Sequence, residues 1–147
     1  MTLSPASRNG AASVPAEAAH VALESDVDIV AARRIAREIA ERTGFTGGDL
    51  ALITTAISEI TRNILSYAGR GKVTLTTVAD KGRRGITVVA SDQGPGIADV
   101  ERAMCDGFST SKGLGLGLPG ARRLMDDFKI VSTVGKGTTV TMTKWLR

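Results

Sequence analysis

Glu59 and Asn63 stand four residues apart in the run AISEITRNILSYAG. On a helix that spacing puts both side chains on one face, a turn apart. A carboxylate there can act as a general base, and a neutral amide oxygen can hold Mg²⁺, a hard cation that keeps water and phosphate oxygens as its other ligands. A second group, Asp92-Gln93-Gly94-Pro95-Gly96, follows a β-branched run. Gly94 and Gly96 let the backbone approach a flat ligand, and the Asp92 carboxylate can accept an exocyclic amino group, which suits adenine. The third group is DGFSTSKGLGLGLPGARRL, with five of the chain's 17 glycines between Gly107 and Gly120. Glycine-rich backbone that runs into a helix offers N–H groups and a positive helix end to a triphosphate.

Three familiar phosphate-binding patterns do not fit this third group. A P-loop needs Gly-Lys-Ser/Thr at its end, whereas Lys112-Gly113 reverses the order and lacks the hydroxyl. Gly115, Gly117 and Gly120 satisfy the dinucleotide pattern G-x-G-x-x-G, but FSTSKGLG is not a buried strand and no acidic residue follows about twenty positions on. A eukaryotic kinase loop expects Val where Arg122 stands, and the chain has neither H-R-D nor D-F-G.

Each group also has an ordinary structural reading. A polar i, i+4 pair is commonly a solvated helix face. Asp-Gln-Gly is a turn former, and Thr138 alone is an unremarkable strand residue. A glycine cluster can be a linker, although linkers are not usually interleaved with residues such as Leu114, Leu116 and Leu118. Phe108 reads as an anchor for that segment or as core, Arg122 and Arg123 as a solvated helix face, and Cys105 as a small buried side chain.

The elements that must position these residues follow from periodicity. Residues 1–18, rich in Ala, Ser and Pro, read as a disordered leader, and residues 19–147 as one domain. HVALES reads as a short strand, after which Asp26 or Asp28 caps a helix with Ile29, Val30, Ile35 and Ile39 at helical spacing and Gly44 at its end. A second helix carries Leu52, Ile53, Ala56, Ile57, Ile60 and Ile64 on one stripe and stops at Gly69. KVTLTTVAD and GITVVASD form a hairpin through KGRRG, a short helix covers 99–104, another covers 119–127, and FKIVSTV and TTVTMTKWL form a second hairpin through GKG. The expectation is an α+β fold, a two-layer sandwich of a mixed, mostly antiparallel sheet with helices on one face.

Composition removes several classes of function. A net charge of +4 with scattered basic residues and 3% aromatics gives neither a backbone-tracking stripe nor stacking platforms for nucleic acid. One cysteine and one histidine, Cys105 and His20, argue against a disulfide framework and a His/Cys metal site, and no apolar run reaches membrane-spanning length. A soluble cytoplasmic protein is expected.

In order and spacing, Glu59/Asn63, Asp92/Gly94/Gly96, GFSTSKGLGLGLPG and a late GKGTT resemble the GHKL ATPase and kinase superfamily with its Bergerat-type ATP-binding fold. AISEITRNILSYAGRGKV, SDQGPGI, DGFSTSKGLGLGLPGARRLMDDF and TKWLR are more closely similar to serine/threonine kinases of the anti-sigma-factor type, the stressosome switch kinases in particular. The likeness spans roughly residues 20–147. It implies ATP and Mg²⁺ as cofactors, with Asn63 on the metal and Glu59 orienting or deprotonating the attacking hydroxyl. It further implies Asp92 on the adenine amino group, Thr138 near the same ring through a water, and Gly94 and Gly96 shaping the pocket. Thr110, Lys112, Gly113, Gly115 and Gly117 would belong to a lid over the phosphates. Such kinases phosphorylate a STAS-domain antagonist and are then released to another partner, so a scaffold assembly and a downstream phosphatase or sigma-factor regulator are expected as well. Two other readings stay open: a nucleotide-gated binding protein without phosphotransfer, and an NAD-binding oxidoreductase.

Overall fold

A computed structural model describes residues 18–105 and 117–147. The chain runs in the order β1 (Ala18–Leu23), α1 (Asp26–Thr43), α2 (Gly47–Tyr67), β2 (Gly71–Asp80), β3 (Arg83–Asp92), α3 (Val100–Ala103), α4 (Gly117–Leu124), β4 (Asp127–Thr133) and β5 (Gly137–Trp145). Ala18, expected at the end of the leader, already belongs to β1, and residues 1–17 lie outside the described residues.

The strands form one sheet in the order β1-β2-β3-β5-β4, and every pairing is antiparallel. The parallel component of the expected mixed sheet is therefore missing, for a topological reason. β4 returns from the α3–α4 connection running parallel to β3, but β5 lies between them and pairs with both. Strand alternation decides which face is covered. Val73, Leu75, Ile86, Val88, Ala90, Val140 and Met142 point inward and are buried against Ile53, Ile57, Ile60 and Ile64 of α2 and against α1.

Helix α1 departs from the expected stripe at Val30, which is 64% exposed. Ala32, Ala36 and Ala40 are fully buried in its place, and side chains this small let α1 pack closely. Asp28 caps α1 from inside its first turn: its carboxylate accepts the N–H groups of Glu24 at 2.7 Å and Ser25 at 3.1 Å. The β2–β3 connection is tighter than KGRRG suggested. Lys81 and Gly82, at φ 53° and 81°, make a two-residue turn whose left-handed backbone suits a hairpin.

α4 begins two residues before its expected start and ends at Leu124, because Asp127 opens β4. Its last turn is latched to β5. The buried Lys144 Nζ donates to the Leu124 carbonyl at 3.1 Å and lies 3.9 Å from the Asp126 carboxylate. Asp126 also accepts the Trp145 backbone N–H at 2.8 Å and pairs with Arg147 at 2.5 Å. Burial by itself raises the Asp126 pKa, but the Trp145 N–H, Lys144 and Arg147 outweigh it and hold the carboxyl below its ordinary 3.8. The unfolded chain thus takes up this proton first as the pH drops. The stabilisation is complete above the ordinary carboxylate value and is lost as the pH falls through the depressed one. In urea unfolding, the gap between wild type and Asp126→Asn should be widest at neutral pH and shrink as the pH falls below the ordinary carboxylate value.

Candidate functional site

The amphipathic period of α2 sets the site's first wall. With Ile53, Ile57, Ile60 and Ile64 against the sheet, the flank carrying Glu59 and Asn63 turns toward the end of β3. Asn63 is half-buried and lines a cleft of about 200 Å³ together with Tyr67, Ala68, Asp92, Pro95, Gly96, Ile97, Ala103, Leu118 and Thr138. Glu59 lies one turn earlier and is not among that lining. It is 9% exposed, and its Oε2 lies 3.3 Å from the Arg62 guanidinium.

Sheet register sets the second wall. Asp92 is the last residue of β3 and stands directly opposite Thr138 of β5. One oxygen of Asp92, Oδ1, accepts the Gly94 N–H at 2.8 Å, which turns the chain after the strand and fixes the carboxylate. Among the described residues the other oxygen has no partner and is left as an acceptor. Gly96 has φ 78°, and a Cβ there would collide with the Thr133 carbonyl. The loop can therefore lie against the β4–β5 hairpin, where Gly135 N–H donates to Pro95 O at 2.8 Å and Ile97 N–H to Ser132 Oγ at 2.7 Å.

The structure thus gathers Asn63, Asp92, Gly96 and Thr138 around one cleft, with Gly94 behind Asp92. Gly117 is the first residue of α4, and the next residue, Leu118, lines the cleft. Thr110, Lys112, Gly113 and Gly115 lie outside the described residues.

Two residues here escaped the reading of the sequence as site members. Gly137 packs so closely on the Asp92 carbonyl that no side chain fits, and its φ is 124°. Ser132 hydrogen-bonds Thr138. Alternation along β4 was the available signal, since Ser132 shares the inward face with Phe128 and Ile130. Cys105, expected to be buried, is exposed. Among the described residues no cluster of three or more His, Cys, Asp and Glu side chains could cage a metal, and no helix is long and apolar enough to cross a membrane.

A family model described as a histidine kinase-like ATPase domain matches residues 21–144. The chain is 53% identical over 127 residues to the serine/threonine-protein kinase RsbT of Bacillus subtilis (strain 168), an alignment spanning 86% of this chain and 96% of that protein. It is 35% identical over 119 residues to the anti-sigma F factor of Caldanaerobacter subterraneus subsp. tengcongensis, spanning 78% and 83% of the two chains. In fold it matches the crystal structure of the RsbU and RsbW domains of a Mycobacterium tuberculosis protein with a TM-score of 0.59 at 20% identity, over 89% of this chain and 32% of that one.

Proposed function

The chain belongs to the histidine kinase-like ATPase domain family and is a protein serine/threonine kinase that uses ATP; from that premise we propose that it phosphorylates a STAS-domain antagonist in a cytoplasmic partner-switching pathway that regulates a sigma factor. The observation that carries the assignment of the site is the register that sets Asp92 beside Thr138, at a cleft whose other wall holds Asn63. In this reading Asp92 accepts the adenine amino group, Thr138 meets the same ring, and Gly94 and Gly96 hold the loop that closes the pocket.

Asn63 fits a magnesium ion that arrives with a nucleotide. Its amide oxygen is a hard neutral donor on the cleft wall, and among the described residues no hydrogen-bond partner occupies it. Water and phosphate oxygens would supply the remaining ligands. Bound there, the ion would neutralise charge on the phosphates. Glu59, with one oxygen on Arg62, keeps the other for the acceptor hydroxyl. It takes that proton as the hydroxyl oxygen attacks the γ-phosphorus, while the bond to the bridging oxygen breaks and ADP leaves. The likeness to an anti-sigma F factor supports the sigma-regulatory setting, in which phosphorylation frees the kinase for a scaffold, phosphatase or other downstream partner.

Incubation with γ-labelled ATP, Mg²⁺ and a STAS-domain protein tests this reading. Acid-stable label should appear on the STAS domain. Bound ATP without transfer would leave a nucleotide-gated binding protein instead.

A further inference from the structure

At about 100° per residue, Arg62 falls about half a turn away from the stripe of Ile53, Ile57, Ile60 and Ile64 that faces the sheet. Asn63 stands to one side, toward the cleft, and Glu59 between the two. Helices α1 and α4 flank α2, so only the strip opposite the sheet faces outward. That strip carries Ala51, Thr55, Arg62 and Ser66, small side chains with one cation among them. The Arg62 side chain is 41% exposed, whereas Glu59 beside it is buried. Of the five N–H donors of the guanidinium, one on Nη1 goes to Glu59 Oε2 at 3.3 Å, and among the described residues the other four have no partner.

The direction of the reaction says what those donors meet. Displacement at the γ-phosphorus is roughly in line, so the attacking hydroxyl arrives on the side away from ADP. With the nucleotide in the cleft and Glu59 receiving the hydroxyl proton, the open approach for an acceptor protein is the outward strip of α2, past Arg62. We infer that Arg62 is a specificity-determining residue, whose spare donors take a carboxylate that the acceptor protein carries beside its reacting serine or threonine. A planar fork can hold Glu59 on one edge and a second carboxylate on another, and a carboxylate is the group it matches in shape and charge. Ala51, Thr55 and Ser66 are small enough to leave room for that approach. The inference rests on the reading of Glu59 as the base and of the cleft as the ATP site.

The test uses a STAS-domain protein that the wild type phosphorylates. Steady-state transfer is measured for the wild type and Arg62→Lys, varying ATP and acceptor separately. Each enzyme is given the native acceptor and acceptors in which every Asp or Glu near the labelled hydroxyl is changed in turn to Asn or Gln. Lysine keeps a charge beside Glu59 but loses the fork. Arg62→Lys should raise the KM for the acceptor about tenfold, the worth of a hydrogen bond to a charged group, and leave the KM for ATP unchanged. One acceptor amide should cause the same loss with the wild type and cost Arg62→Lys nothing further. An unchanged acceptor KM in Arg62→Lys, or the absence of any acceptor carboxylate coupled to Arg62, overturns the inference. So does a fall in kcat alone, which makes Arg62 a prop for Glu59, and so does an equal loss for ATP, which sets Arg62 on the phosphates. Should Arg62→Lys not fold, the acceptor variants decide with the wild type alone: a tenfold rise in KM with one amide supports the inference, and no rise with any of them overturns it. All of these results leave the kinase reading in place. A wild type that labels no STAS-domain protein, or a Glu59→Gln variant that transfers at full rate, removes that reading and the inference with it.

Discussion

A Glu59→Gln variant is expected to transfer phosphoryl groups roughly 10²–10⁴-fold more slowly than the wild type, the usual worth of a positioned general base. Its affinity for ATP should hold, because Glu59 is not among the residues lining the cleft that carries Asn63, Asp92 and Thr138. The substitution suits the site. At 9% exposure a shorter side chain would open a cavity, whereas glutamine keeps the volume, and its amide oxygen can still face Arg62. What glutamine cannot do is take a proton. A fall in kcat at unchanged nucleotide affinity therefore marks an interaction made in the transition state and not in the ground state. Transfer at the wild-type rate would make Glu59 an anchor for Arg62 and nothing more.

Asp92→Asn is expected to weaken ATP binding by roughly 10–100-fold, the range for a hydrogen bond accepted by a charged group. The direction follows from the Gly94 N–H, which needs an acceptor at Oδ1. An asparagine that turns its carbonyl to Gly94 presents its amino group to the cleft, and an amino donor there faces the adenine amino donor. Asn is also the cleaner test than Ala, which would release the turn as well. Competition of unlabelled ATP against a fluorescent analogue reads the change directly, and equal affinity would remove Asp92 from the adenine site. Thermal unfolding of the free protein should move little, since the Asp92–Thr138 pair sits where the strands end.

These expectations show how unevenly the molecule could be read from its residues. Helices α1 and α2 and both hairpins were legible because their apolar periods are local, and Asp92 could be placed because it ends a β-branched run. The misses at Val30 and in the sheet order are decided by partners distant in the chain. Val30 fits the helical period of α1, but only packing shows that Ala32, Ala36 and Ala40 make the seam. The hairpin of β4 and β5 was visible, whereas the insertion of β5 beside β3 was not, and that insertion removes the parallel pairing. The same insertion brings Thr138 opposite Asp92, while the β4–β5 hairpin itself sets Ser132 opposite Thr138. The residue types of the site were therefore readable, while the hydrogen bonds that orient them depend on sheet order. Glu59 and Asn63 illustrate the limit of helical spacing: they share a flank of α2, yet only Asn63 lines the cleft, because Glu59 sits one turn deeper beside Arg62.

The measurement that bears most directly on the central claim is a crystal structure of the chain with Mg²⁺ and a non-hydrolysable ATP analogue. The adenine amino group should lie within hydrogen-bond reach of Asp92 and the ring beside Thr138. Asn63 would be among the ligands of the metal ion. A nucleotide bound outside the cleft, or a metal ion with no contact to Asn63, would contradict it.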